Sequence, residues 1–232
     1  HYPDFFEEGY KHKYDKDIYH YLDNVARNDQ YEMNRGFGHR LLRCSCVIWQ
    51  FKNIDELKAK YYEVINVLEN SYDGEVNTPD VQRLKGMIRE FEEELVWAYN
   101  GVSVKNVHHL HLGFYQDKGI TKGPNMQRDV MPILNQFREI QPDIISVTLD
   151  PEGSGPDTHY KVLQATAAAV AEWSKEKDLS NVRIYGYRNV WFKFHPAEAN
   201  MYVPVSLNAL AVLDKSFAAS YLSQVKAEFP NP

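Results

Sequence analysis

Residues 143–149, Asp-Ile-Ile-Ser-Val-Thr-Leu, form a nearly continuous apolar run, and this run decides the fold class. Such a run is typical of a strand that is buried on both faces of a parallel sheet. A glycine-rich loop at 150–157 follows it, then a helical pattern from Thr158 to about Lys175 and a second strand pattern at 182–187. The order strand, helix, strand predicts an α/β fold with parallel strands.

The segments on either side continue this alternation. Thr78 and Pro79 open a helix in the favoured order, a capping hydroxyl followed by proline at the first helical position, and Asn100-Gly101 ends it. We predict a strand at 107–114 and helices at 128–140 and 206–228. The expected fold is therefore a three-layer, Rossmann-like α/β domain, in which helices flank a mostly parallel sheet.

The first 77 residues have a different pattern. They are crowded with Tyr, Asp, Lys and Asn, and they predict helices at 15–28, 31–49 and 53–71. Asp73-Gly74 is a turn signal after the third helix. We therefore expect a helical insertion at 1–77 and an α/β domain at 78–232, which together form a single structural domain.

Composition narrows the function class. The net charge of −6 argues against a nucleic-acid partner, because binding to phosphates needs a basic surface. No stretch approaches the roughly 18 consecutive apolar residues of a membrane span, so we expect no membrane partner and a cytoplasmic location.

Cys44 and Cys46 do not match the two separated pairs of a zinc site, and we expect buried thiols. The 16 Tyr and 4 Trp suit either a sugar-binding cleft or a large aromatic core.

One loop concentrates the groups that can do chemistry. Asp150, Glu152 and Asp157 lie between the most apolar strand and its following helix, and His159 falls in the first turn of that helix. Ligands of open parallel sheets bind beyond the carboxyl ends of the strands. A helix N-terminus disfavours an imidazolium, so His159 is expected to be neutral and able to bind a metal. The alternative is a capping loop, in which Asp157 or Thr158 satisfies free N–H groups of the helix.

Five segments resemble one protein family in the same order along the chain. Asp150-Pro151 with Gly155-Pro-Asp-Thr-His159 resembles the second metal-ligand motif of the PIG-L/LmbE-like N-acetylglucosaminyl deacetylases. The other four segments are residues 86–92, 109–115, 187–191 and 198–206. The last two are most similar to the branch in which the deacetylase-like domain follows a glucosamine-6-phosphate deaminase-like domain. The resemblance covers about residues 78–228.

The resemblance implies a zinc-dependent hydrolase that removes an N-acyl group from an amino sugar. His159 would be a zinc ligand. Asp157 or Glu152 would be catalytic, in place of a histidine that many members carry three residues before the ligand histidine. Arg89, Arg188 and Trp191 would contact the substrate. The alternatives are an ion pair of Arg89 with a neighbouring glutamate on its helix, and packing at the edge of the core for the other two.

The chain also departs from the family. Members carry a His-Pro-Asp-Asp motif after their first strand, and this sequence has none; Pro156 stands where many members have a histidine. His159 alone cannot hold zinc, which needs three protein ligands. His108, His109 and His111 offer a substitute, but on a strand they point to both faces, which is more typical of packing.

We therefore expect a partial domain that lacks its first strands, with a sheet edge to be covered by those strands, by a second chain or in a homo-oligomer. Two alternatives remain. The chain is a non-catalytic module that binds sugar or braces a neighbouring domain, or it belongs to a glucosamine-6-phosphate deaminase-like protein whose activity lies in another domain and needs no metal.

Overall fold

The computed structural model describes residues 14–72, 75–114, 123–150, 157–188 and 193–224. These residues form seven α-helices and two parallel strands, which confirms the predicted α/β class and is consistent with a Rossmann-like fold. In chain order they are α1 (Tyr14–Arg27), α2 (Gln30–Trp49), α3 (Ile54–Asn70), α4 (Pro79–Tyr99), α5 (Met131–Ile140), β1 (Ile144–Thr148), α6 (Asp157–Trp173), β2 (Arg183–Tyr187) and α7 (Leu207–Ser220). A 3₁₀ turn spans Val104–Asn106, and a π-helical turn, Met126–Val130, leads into α5.

The chain divides into two compact units. The first contains residues 1–108 and 205–228, and the second contains residues 109–204 and 229–232. By its contacts α4 therefore belongs with the N-terminal helices. Contacts describe packing and not ancestry, so the predicted division into an insertion at 1–77 and a domain at 78–232 stays a prediction.

The helices of the first unit begin close to the predicted positions because their caps are local. The side chain of Asp29 accepts a hydrogen bond from the N–H of Glu32, and that of Asn53 accepts from two N–H groups of the first turn of α3. Pro79 is the first residue of α4, as predicted, but the Thr78 side chain makes no capping hydrogen bond. The predicted hydroxyl cap was therefore wrong, although the boundary was right.

The core of the first unit forms where α1 meets α4. Ile18, Tyr21, Phe91 and Leu95 are fully buried there, and the rings of Tyr21 and Phe91 meet edge to face. Burial of such side chains is the main source of stability in this unit.

Helix α7 ends at Ser220, earlier than the predicted end at residue 228. The chain turns because Ser223 donates two hydrogen bonds, from its N–H and its hydroxyl, to the buried carboxylate of Glu92, each at 2.7 Å. A buried carboxylate needs such donors, so these two bonds stabilise the turn that follows α7. The last residues of the predicted helix, 225–228, lie outside the described residues.

The second unit contains the sheet. β1 and β2 are parallel and in register from Ile144 opposite Arg183 to Thr148 opposite Tyr187. Helix α6 packs on β1 and on α5. The Phe137 and Trp173 rings contact each other in this core in a tilted arrangement, with centroids 5.3 Å apart.

The expected burial of both sheet faces was wrong for the described residues. Ile145 is 7% exposed, whereas Ile144 is 55% exposed and Ile184 is 52% exposed. The reason is physical: with two strands in the described part of the sheet, the helices of the unit cover only some of the apolar side chains.

The predicted strand at 107–114 was also wrong. The chain there is irregular after the 3₁₀ turn, and His111 has a left-handed backbone conformation, with φ of 49°. Such a residue cannot continue a strand. Gly113 lies against the guanidinium of Arg128, where a Cβ atom would clash, and its N–H donates to the carboxylate of Asp129 at 2.8 Å. His109 and His111 are therefore not on one face of a strand.

Candidate functional site: the Asp150–His159 pair

The central feature of the second unit is a contact between Asp150 and His159. Asp150 follows the end of β1 by two residues and is buried, and His159 is the third residue of α6. His159 Nδ1 lies 3.0 Å from Asp150 Oδ2. The prediction that His159 falls in the first helical turn, beside the carboxyl end of the strand, is confirmed.

This contact fixes the tautomer of the imidazole. A carboxylate only accepts hydrogen bonds, so Nδ1 carries the hydrogen and donates it to Asp150. In a neutral ring Nε2 then has a lone pair, with which it can accept a hydrogen bond, take a proton or bind a metal ion. The His159 side chain is 28% exposed, so a solute can reach it.

The end of β2 brings a cation to the same edge of the sheet. Arg188 directly follows β2, and because Tyr187 lies opposite Thr148, both strands end at one level. A hydrogen bond from Leu149 N–H to the Tyr187 carbonyl, 2.6 Å long, continues the pairing beyond β1. Asp150, His159 and Arg188 thus share the carboxyl edge of the sheet, where ligands bind in such folds.

Arg188 has structural contacts of its own. Its Nη1 lies 3.3 Å from Glu198 Oε2, and its guanidinium lies 4.3 Å from the centre of the Phe194 ring. Its Nε is buried and has no hydrogen-bond partner among the described residues. These contacts hold the guanidinium in place. Contact between Arg188 and a substrate stays a prediction. Trp191, predicted beside it, lies outside the described residues.

The two predicted catalytic carboxylates are Asp157 and Glu152. Asp157 is the first residue of α6; its side chain is 60% exposed and forms a 2.5 Å ion pair with Lys161, one turn along the helix. Glu152 lies outside the described residues. Catalysis by either residue stays a prediction.

Arg89 lies on α4, in the first unit. Its side chain is 49% exposed, and Nη1 is 3.7 Å from Glu92 Oε2. The contact between residues three apart on a helix is the alternative that the sequence left open, and the substrate role stays a prediction.

A zinc site needs several ligands close together among the described side chains. No group of three or more His, Cys, Asp or Glu side chains in the described ranges is arranged to hold a metal ion. Asp150 and His159 match the carboxylate–imidazole arrangement that orients a metal ligand, but they supply a single ligand where zinc needs three. Cys44 and Cys46 are buried, and burial raises the pKa of both thiols to about 11, so they are not ready thiolate ligands. The described residues alone therefore do not fit a zinc site.

One partner in the site, Asp150, was not predicted as such. The sequence presents it as one of three loop carboxylates, without a link to His159. Its position in the sequence could have indicated the contact. Asp150 is the first of the three carboxylates after the strand, so it lies near the carboxyl end of β1 and close to the start of the following helix.

Within the described ranges, no helix has the length and apolar character that a membrane crossing requires.

Comparison with known proteins found one informative relative. A glucosamine-6-phosphate deaminase-like protein of Bacteroides thetaiotaomicron is 34% identical over 163 residues, which are 67% of this chain and 24% of the relative. The chain therefore spans about a quarter of the length of that relative. No family model matches the chain, and no solved structure matches it significantly. The similarity supports a relation to amino-sugar proteins and agrees with the resemblance to the deaminase-linked branch, but it does not extend to the deacetylase family itself.

Proposed function

We propose that this chain is part of an amino-sugar-processing protein of the glucosamine-6-phosphate deaminase-like kind, and that it binds an amino sugar at the Asp150–His159 pair. The observation that carries the proposal is the 34% identity to the relative with that name. The 3.0 Å contact between His159 and Asp150 at the carboxyl edge of the sheet supports the choice of site. In this proposal the chemistry of deamination belongs to other parts of the longer protein.

The groups at this edge suit a sugar. His159 Nε2 can accept a hydrogen bond from a sugar hydroxyl or ammonium, because Asp150 holds the donor hydrogen on Nδ1. Arg188 can donate from the same edge to a hydroxyl or to an anionic substituent. Such fixed polar groups determine which way round a small ligand binds.

A second candidate is removal of an N-acyl group from the amino sugar. One observation favours it: an imidazole that donates from Nδ1 to a carboxylate is the usual form of a metal-binding histidine. This candidate needs further zinc ligands from residues 151–156 or from the longer protein. In it, Asp157 or Glu152 remains the predicted catalytic carboxylate.

Calorimetric titration of the 232-residue chain tests the main proposal. We expect glucosamine 6-phosphate and N-acetylglucosamine to bind, and glucose to bind more weakly. His159→Ala should weaken the binding of N-acetylglucosamine, which carries no phosphate, about tenfold, the value of one good hydrogen bond to a ligand. His108→Ala is the matched control, because this exposed histidine lies outside the second unit. Equal affinities in the two variants and the native chain would overturn the assignment of the site.

Zinc binding separates the two candidates. On the main proposal the isolated chain binds zinc weakly and lacks measurable deacetylase activity, because one imidazole leaves the ion mostly hydrated. Tight, stoichiometric zinc that is lost in His159→Ala would favour the second candidate.

A further inference from the structure

A second cleft, in the first unit, is lined almost entirely by cationic and imidazole side chains. It lies between α1 and α2 and has a volume of about 290 Å³. Its described lining consists of Lys16, Asp17, His20, Arg35, His39 and Arg43. This composition is unusual for a chain whose net charge is −6.

The spacing of the residues explains how the cleft forms. Arg35, His39 and Arg43 are four residues apart along α2, so they lie in a row on one face of the helix. Lys16 and His20 have the same spacing on α1. The two helices pack against each other, which places the rows on the two sides of the cleft.

The carboxylates near the cleft are already engaged. Asp17 is buried, and its Oδ2 lies 2.6 Å from Arg43 Nε and 3.8 Å from Arg40 Nε. Glu32 lies 3.2 Å from Arg35 and 3.3 Å from His20. The described lining carries cations on Lys16, Arg35 and Arg43. Asp17 pairs with Arg43 and Glu32 pairs with Arg35, so these groups leave an excess of one positive charge at the cleft.

Burial strengthens the field of one of these cations, Arg43, whereas Lys16 and Arg35 are exposed. The Arg43 side chain is 9% exposed, so its charge is screened little by water. The pKa of His39 is lowered, first by burial and then by the positive charges of Arg35, Arg43 and His20, against the opposing effect of Asp17. An anion in the cleft would meet the exposed cations of Lys16 and Arg35 and the guanidinium of Arg43, whose charge Asp17 partly neutralises.

We propose that this cleft binds the phosphate group of a small phosphate monoester. Guanidinium and ammonium groups are the usual partners of phosphate oxygens, and an arginine can donate two hydrogen bonds to one phosphate. The volume lies near the lower end of the range for ligand pockets, about 300–1,000 Å³, which suits a phosphate with one sugar ring. The inference does not rest on the proposed function, because it concerns the first unit and uses none of the residues assigned to the sugar site.

Calorimetry with three ligands tests the proposal on the 232-residue chain. Inorganic phosphate and glucosamine 6-phosphate should both bind to the first unit, and glucosamine without phosphate should not bind there. Equal affinity for inorganic phosphate and glucosamine 6-phosphate would mean that the cleft contacts the phosphate group alone. Tighter binding of glucosamine 6-phosphate would mean that the cleft also contacts the sugar. Because the Asp150–His159 pair can also bind the sugar, this comparison is made in the His159→Ala chain.

Lys16→Gln combined with Arg35→Gln is the decisive variant. Both side chains are exposed, so the fold should survive, and the loss of two cations should weaken phosphate binding at least about tenfold. Arg83→Gln is the control, since this exposed arginine of the same unit lies on α4 and does not line the cleft. Absence of phosphate binding at millimolar concentration would overturn the proposal, as would binding that the double variant and the control weaken equally; either result would leave the cluster as a structural ion network.

Discussion

The hydroxyl of Tyr21 donates a 2.7 Å hydrogen bond to the carbonyl of Ala219, although 198 residues separate them in the sequence. Tyr21 is fully buried in α1, and Ala219 lies in the last turn of α7. Both belong to the first unit, so its core is closed by a segment from the far end of the chain. This long-range contact makes the C-terminal helix part of the stability of the N-terminal helices.

Replacement of Tyr21 by Phe should therefore destabilise the first unit. The change keeps the ring but removes the hydrogen bond, and the Ala219 carbonyl loses a partner, at a cost of about 1–2 kcal/mol. Urea unfolding followed by circular dichroism measures the difference in free energy. Tyr19→Phe is the control, because the Tyr19 side chain is 46% exposed. If both variants unfold at the same urea concentration as the native chain, the contact contributes nothing.

Asp129 should make the second unit sensitive to acid. Its carboxylate is buried and accepts hydrogen bonds from Gly113 N–H, Asn125 N–H and the Arg128 side chain. The bond from Arg128 is the main cause that lowers the pKa of Asp129, with the two N–H groups acting in the same direction and burial opposing them.

A lowered pKa means that the ionised carboxylate stabilises the fold fully above its unfolded value of 3.8, and that this stabilisation is lost as the pH falls below 3.8. Asp129→Asn should cost about 1.5–3 kcal/mol near pH 7, where the native group is ionised. The difference in the free energy of unfolding between this variant and the native chain should shrink as the pH falls below 3.8. Unfolding curves at several pH values check this, with the exposed Asp143→Asn as control; a difference that is constant with pH would contradict it.

The exposed sheet should cause self-association. Apolar side chains of the two strands remain about half exposed, among them Ile144 and Ile184, and a parallel strand edge offers free backbone groups for pairing. We expect the chain to associate at rising concentration in analytical ultracentrifugation, and Ile184→Lys to reduce this. Ile140→Lys is the control, since Ile140 is 56% exposed but lies at the end of α5. A chain that stays monomeric at every concentration would rule out this role for the sheet.

Elements with local signals were predictable from the sequence. Asn53 caps α3, Pro79 begins α4, and Gly101, with φ of 86°, follows its end, and each of these acts through its own backbone conformation or nearest neighbours. The strand at 143–149 was found because its apolar run has no competing helical period.

Features that depend on packing were not predictable. The segment 107–114 has strand-like composition, but Gly113 is held by Asp129, which is 16 residues away. The pairing of Asp17 with Arg43 depends on how two helices pack, and a single sequence does not specify this. For the site, the position of His159 in the first turn of α6 was predicted. Its contact with Asp150 was not predicted, because it depends on how the end of β1 and the start of α6 are placed together.

Binding of an amino sugar at His159 can be observed in the imidazole nitrogen spectrum of this residue, recorded with and without glucosamine 6-phosphate. Without sugar, we expect the spectrum to show a hydrogen on Nδ1, and Asp150→Asn should change the tautomer balance because the amide can also donate. With sugar, the Nε2 signal should shift as this atom accepts a hydrogen bond, while the His108 signals stay unchanged. A His159 spectrum that does not respond to saturating sugar, or a ring with its hydrogen on Nε2 in the native chain, would rule out sugar binding by the Asp150–His159 pair as proposed.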